Sequence, residues 1–211
     1  LNDLLGDILP LKLVHETPGP VRPVLCTDAA ELRGLEQLML DAVLEPELLH
    51  RLMAHIRDAV LAWIDRREAD RQVVPYTTDP PLYSDPIGAP AADRSYTYKN
   101  CWTHCNSQEF DQISPAMWEE FLLNYQKPIL TRFGHVQYGC CENLTQKIDG
   151  VLSIPNLRMF VCSAWTNLDT VLERVSDKYV IMWRQKASEV VFAADPEILR
   201  PGLESGARRL R

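Results

Sequence analysis

The clearest hydrophobic pattern in the chain begins at Pro46. Leu49, Leu52, Met53, Ile56, Val60, Trp63 and Ile64 recur at spacings of three and four, which places them on one face of a helix. Pro46 suits the first helical position, where its missing N–H would have no intrahelical partner. The charged run from Asp65 to Arg71 reads as a solvated end. His50 and His55 lie off the apolar stripe and read as surface histidines. Upstream, Asp28 is placed to cap a shorter helix with Leu32, Leu35, Leu38 and Met39 on one face. Pro10, Pro18, Pro20 and Pro23 interrupt residues 1–27 too often for a long helix. Pro75, Pro80, Pro81, Pro86, Gly88 and Pro90 make 73–98 an irregular loop. Its tyrosines Tyr76, Tyr83, Tyr96 and Tyr98 suit an ordered cover over a site.

After residue 99 the rhythm changes. Ser114 followed by Pro115 starts a helix, a capping hydroxyl and then proline at the first helical position. Trp118, Phe121, Leu122, Tyr125, Ile129 and Phe133 form its apolar face. Pro128 is expected to kink or shorten it and Gly134 to close it. Three short runs follow, 135–140, 158–163 and 179–184, rich in Val, Ile, Tyr, Phe or Cys. Leu144, Ile148 and Leu152 supply a helical pattern after the first. Leu168, Val171, Leu172 and Val175 do so after the second, and Val190, Val191 and Ala194 after the third. This alternation predicts three consecutive parallel strands with right-handed crossovers, an α/β fold. No glycine-rich phosphate loop follows any run, so a dinucleotide-binding fold is not supported.

Composition narrows the class. The 211 residues are 46% hydrophobic and 24% charged, the make-up of one globular domain over 1–211. No apolar run reaches the roughly 18 to 20 residues that a membrane span needs. A net charge of −7 argues against a nucleic-acid partner. Six cysteines are too few and scattered for a disulfide scaffold. Cys26 and Cys162 stand in apolar strings and read as reduced core thiols, which suggests a cytoplasmic protein. The chain opens on Leu1, and its end from Ala207 to Arg211 reads as a helix cut in mid-course, so a longer protein is expected.

In parallel α/β folds, function collects at the carboxyl ends of the strands. Cys140, Cys141 and Glu142 follow the first run, Ser163 and Trp165 the second, and Arg184, Gln185 and Lys186 the third. His104, Cys105, Ser107, Gln108 and Glu109 precede the proline-capped helix. Cys140 with His104 or Cys105, closed by Glu142, could bind a soft metal, with zinc the default. No CxxC or HxxxH spacing reinforces this. Two buried thiols, a helix-capping Glu142 or a Cys–His nucleophile pair remain open readings. Alternation along 135–141 puts Val136, Tyr138 and Cys140 on one face and Gln137, Gly139 and Cys141 on the other. Gln137 suits a helix-covered face poorly, so Tyr138 and Cys140 are expected to point to the interior.

The stretch 99–186 resembles the uroporphyrinogen decarboxylase superfamily, which includes zinc- and corrinoid-linked methyltransferases. The resemblance rests on Ser107-Gln108-Glu109, Ile113-Ser114-Pro115, Glu119-Glu120-Phe121, Tyr125, Arg132-Phe133-Gly134 and Tyr138-Gly139-Cys140-Cys141-Glu142. Ile154-Pro155-Asn156-Leu157-Arg158 and Ser163-Ala164-Trp165 continue it, and Gly6-Asp7 and Arg33-Gly34-Leu35-Glu36 fit earlier. It points to a branch apart from the true decarboxylases. It implies a (β/α)8 TIM barrel, here incomplete, with the site at its carboxyl face and much of the amino-terminal part preceding Leu1. The methyltransferases hold zinc with a His-x-Cys motif and a later Cys. Here Tyr138 takes the histidine position, and no cysteine follows Cys162.

The expected function is a methyltransferase of the corrinoid- or zinc-linked type acting on a small-molecule donor or acceptor. The corrinoid would be carried by a partner protein. The alternatives are a decarboxylase acting on a carboxylated, porphyrinogen-like substrate and a non-catalytic binding protein. Glu142, Gln108 and Lys186 are the candidate catalytic residues. Tyr138, Ser107, Trp165 and Arg184 are the candidates for binding substrate, and Cys140 and His104 for binding metal. An open partial barrel leaves unpaired edges, so association with a second copy is also expected.

Overall fold

The helical pattern from Pro46 becomes α3 (Pro46–Ala69), with Pro46 in its first turn. A computed structural model describes residues 23–73, 87–89, 91–93, 95–175, 177–192 and 196–210. Leu49, Met53, Ile56 and Ile64 are buried as the spacing requires, and Leu52, Val60 and Trp63 pack against the same core. The preceding segment differs from the expected single stripe. It forms α1 (Leu25–Arg33) and α2 (Leu35–Leu44), separated at Gly34, whose φ is +84°. A break resets the helical face, so Leu38 is buried while Leu32 and Leu35 are exposed. Asp28 lies inside the first turn of α1 and not at its cap, which is Val24.

One helical run occupies 115–130: α4 (Pro115–Trp118), a π turn (Glu119–Leu123) and α5 (Asn124–Leu130). Ser114 Oγ accepts the Met117 N–H at 3.2 Å, the expected cap. Trp118, Phe121, Leu122 and Ile129 are buried. Pro128 does not end the run. It removes the N–H that would bond the Asn124 carbonyl, and the irregularity falls in the π turn just before, where the ladder is already widened. Gly134 is not the helix cap either, because Thr131 is. Its role is a backbone crossing: its N–H donates to the Cys101 carbonyl at 3.0 Å, and a Cβ there would collide with the Lys99 carbonyl and the Ile87 side chain.

The three predicted runs are consecutive parallel strands: β2 (His135–Tyr138), β3 (Leu157–Cys162) and β4 (Val180–Trp183). A fourth, β1 (Trp102–Cys105), pairs parallel with β2 and completes a sheet ordered β1-β2-β3-β4. The helices α6 (Ile148–Leu152), α7 (Leu168–Arg174), α8 (Ala187–Val191) and α9 (Pro196–Arg209), with 3-10 turns at Tyr98–Asn100 and Gln108–Phe110, complete the described elements. The architecture is mixed α/β with a four-stranded parallel sheet. Cys105, Val136, Tyr138, Phe160 and Cys162 face a core shared with α1, α3 and the 115–130 run. Trp102, Met159 and Val161 alternate with them and are buried outside that core, on the other face. All six cysteines are free, with Cys26 and Cys162 buried as expected. Of the 73–98 loop, Tyr76 and Tyr83 lie outside the described residues, as does Ala194. Tyr98 is buried between Trp63 and Phe133. Among the described residues, no helix is long and apolar enough to cross a membrane.

Candidate functional site

The strand ends converge on one carboxylate. Glu142 is buried. Its Oε1 accepts the Ser107 N–H at 2.7 Å and the Ser107 hydroxyl at 3.2 Å, and its Oε2 accepts the Cys140 N–H at 2.9 Å. Its backbone carbonyl accepts the Ser163 hydroxyl at 2.7 Å and the Thr166 hydroxyl at 3.3 Å. One residue thus ties the chain after β1, β2 and β3. This is not the helix cap that the sequence suggested, since the following helix begins at Ile148 with Lys147 at its cap. Both oxygens are engaged by donors, so Glu142 holds the rim of the site in shape.

Cys140 departs from the strand-alternation argument. β2 ends at Tyr138, and Gly139 then takes φ +109°. That left-handed step cancels the period of two beyond Tyr138. Tyr138 itself lies within the strand and faces the helical core rather than the interior expected of it, fully buried, its hydroxyl donating to Gln126 Oε1 at 2.9 Å. Cys140 and Cys141 both turn to the carboxyl end, with Sγ atoms 3.7 Å apart. Gln137, judged awkward for a buried face, is nonetheless buried with no partner for Oε1 among the described residues. Burial pushes the Cys140 thiol up and the neighbouring Cys141 thiol adds to this, while Arg184 pulls the other way.

Behind β2, β3 and β4 opens a cavity of ≈ 510 Å³. Cys140, Cys141, Trp165, Arg184 and Lys186 line it. Arg184 is anchored by Nη1, which donates to the Cys140 carbonyl at 3.1 Å and lies 3.8 Å from Cys140 Sγ. Among the described residues the rest of its guanidinium has no further partner. Lys186 Nζ stands 5.5 Å from the centre of the Trp165 ring and 3.7 Å from Glu189. Trp165 is 64% exposed although Ser163 Oγ fixes its backbone N–H at 3.2 Å. Its other side borders a second cavity of ≈ 710 Å³, lined by Asp111, Ser114, Asn143, Thr145, Gln146 and Asn167 among others.

Of the residues expected at the site, Trp165, Arg184, Lys186 and Cys140 come together at the cavity, with Glu142 and Ser107 behind its wall. Ser107 is fully buried against Glu142. Gln108 is exposed in a 3-10 turn and does not line the cavity. His104 Nε2 is 3.1 Å from the Gly139 carbonyl, which can only accept, so that nitrogen carries the proton. Among the described residues no three His, Cys, Asp or Glu side chains group to hold a metal ion. In the set Cys140, His104 and Glu142, both carboxylate oxygens already accept N–H or O–H donors, and His104 Nε2 serves the Gly139 carbonyl. The sequence reading missed Lys147. It is buried, donates to the Phe110 and Asp111 carbonyls at 2.7 and 2.9 Å, and burial lowers its pKa. The only cue was a lysine set between the apolar positions Leu144 and Ile148.

The fold and site define a mixed α/β protein with a cationic, thiol-bearing cavity at the carboxyl ends of parallel strands. No protein-family model, curated protein or solved structure matches the chain.

Proposed function

We propose that the chain is part of a uroporphyrinogen decarboxylase-like (β/α)8 barrel whose cavity binds a carboxylated small molecule with a flat apolar body. The observation that carries this reading is the grouping of Arg184, Lys186 and Trp165 on one cavity wall. A guanidinium takes a carboxylate through two parallel N–H bonds, and an ammonium adds a point charge. The Trp165 face supplies stacking area beside them. This chemistry supports the decarboxylase reading, with a porphyrinogen-like substrate, over zinc-linked methyl transfer. Arg184 and Lys186 hold substrate carboxylates, and Glu142 and Ser107 position the rim. A second reading rests on the two thiols of the same wall, which suit methyl transfer in company with a corrinoid-bearing partner protein. Six free cysteines fit a reducing, cytoplasmic setting.

The test is a titration with a multiply carboxylated porphyrin, followed as a Soret shift. Arg184→Ala and Lys186→Ala are each expected to weaken binding about tenfold, the equivalent of about 1.4 kcal/mol. No Soret shift, or equal affinity in the double variant, overturns the reading. A methyl-ester porphyrin that binds equally well overturns the carboxylate role.

A further inference from the structure

Cys140 and Cys141 are an adjacent pair whose sulfurs lie 3.7 Å apart on the wall of the carboxyl-end cavity. We propose that they form a two-thiol clamp that captures a trivalent arsenic centre, an arsenical of the type R–As=O, through both sulfurs. The site stands on the thiol geometry and does not depend on which carboxylated ligand the cavity takes.

Three features favour chelation. The turn that presents the thiols is fixed from both sides. Gly139 is held at φ +109° with the Val161 backbone and side chain only 3.0 Å from where its Cβ would be, and Glu142 Oε2 holds the Cys140 N–H at 2.9 Å. The backbone that presents the two sulfurs together is thus fixed before a ligand arrives. Second, the other cysteines do not compete. Cys26, Cys101, Cys105 and Cys162 are all buried, whereas Cys141 is exposed and Cys140 partly so. Third, a direct disulfide fits this pair poorly. Consecutive Cα atoms are about 3.8 Å apart, short of the roughly 4.4 to 6.8 Å that disulfides prefer. An atom placed between the sulfurs bridges a wider gap than an S–S bond of about 2.0 Å can. Burial also keeps Cys140 in its thiol form, which disfavours thiolate-driven oxidation.

The reaction is a condensation without electron transfer. Each S–H bond breaks, two As–S bonds form, and the As=O bond is lost. The arsenical oxygen leaves with the two thiol protons as one water, and arsenic stays trivalent. The R group then projects into the cavity beside Trp165 and Arg184.

The experiment treats the whole chain with phenylarsine oxide and reads the intact mass. One adduct per chain is expected, lost in Cys140→Ser and in Cys141→Ser. It should survive excess 2-mercaptoethanol and be removed by 2,3-dimercaptopropanol, because only a second dithiol matches the chelate. Cys101→Ser should keep the adduct, and circular dichroism of each variant confirms that loss is not unfolding. An adduct that persists in both single variants, no adduct at all, or a Cys140–Cys141 disulfide in protein kept under mild oxidant overturns the proposal. An adduct that forms as expected in protein showing no Soret shift leaves the clamp standing while the carboxylate reading fails, so the two fail separately.

Discussion

The Glu142 carboxylate accepts the backbone N–H of Ser107 at 2.7 Å across 35 residues of chain. The bond joins the end of β1 to the end of β2, and Ser107 is fully buried. Removing the carboxylate strands two N–H groups, that of Ser107 and that of Cys140. An orphaned buried donor costs about 1–3 kcal/mol. Glu142→Ala is therefore expected to lower the unfolding free energy by about 2–4 kcal/mol in urea titration. Glu142→Gln should lose less, since one amide oxygen still accepts while the NH2 faces the other donor. A loss below about 1 kcal/mol in the alanine variant would contradict the bridging role.

Gly139 is the second point on which the site depends. Its φ of +109° is one that side chains rarely adopt, and an added Cβ would meet Leu144 and Val161 at 3.0 Å. Gly139→Ala is expected to destabilise by about 1–3 kcal/mol. Gly202, inside α9, has only Gln185 Nε2 near its Cβ position, at 3.9 Å. Gly202→Ala should stabilise by about 0.5–1 kcal/mol through helix propensity. Thermal unfolding of the pair reads both signs, and equal shifts would refute the strain at Gly139.

These two residues also show where sequence reasoning reached and where it stopped. The strand–helix alternation from 135 to 184 was legible because parallel strands buried on both faces read as short apolar runs. The four residues of β1 carry His104 and Thr103 beside Trp102 and Cys105, so no such run marks them. At the site, Arg184, Lys186, Trp165 and Cys140 were legible because strand ends point to one rim. The orientations of Tyr138 and Cys141 were not. Pattern alone reveals neither which sheet face the helices cover, which decides Tyr138, nor the sign of φ at Gly139, which turns Cys141. His50 shows the same limit: off the helix stripe, it still lies 2.7 Å from the Tyr125 hydroxyl through Nδ1 and packs on Phe121, contacts fixed only by tertiary packing.

Alkaline pH is expected to destabilise the fold. Burial pushes the Cys101 thiol and the Tyr98 hydroxyl up to about 12 and the Cys162 thiol to about 11. It raises Cys26, Cys105 and Tyr138 as well. In the unfolded chain these groups ionise near their ordinary values, about 8.5 for thiols and about 10 for phenols. Between those values and the folded ones the unfolded chain binds fewer protons, so stability falls as pH rises. Their contribution is full below about pH 8.5 and is lost as pH climbs through the folded values. Lys147 opposes this: burial lowers its pKa, so its share improves as pH rises toward about 10.4. One lysine stands against six acids, and the decline prevails. Urea midpoints at about pH 7 and about pH 10 should show it, with a shallower fall in Cys101→Ala. A flat midpoint across that range would contradict it.

Trp165 separates binding from folding. It is 64% exposed, sits between the two cavities and carries the Lys186 ammonium 5.5 Å from its ring centre. Exposed truncations away from caps and cores change stability by about 0.5 kcal/mol or less. The fixed point of this segment is the Ser163 hydroxyl on the Trp165 backbone N–H, which alanine keeps. Trp165→Ala should therefore melt close to the parent. On the proposed reading, however, its ring is the apolar surface against which a flat ligand would lie, and aromatic stacking contributes about 0.5–1.5 kcal/mol beyond area. Together with the lost contact area, porphyrin affinity should fall about tenfold. Trp165→Phe keeps a ring face and should recover part of that loss, which a purely structural tryptophan would not require. Equal affinities for parent, Trp165→Phe and Trp165→Ala would remove the aromatic platform from the site and leave Arg184 and Lys186 as its only recognition elements.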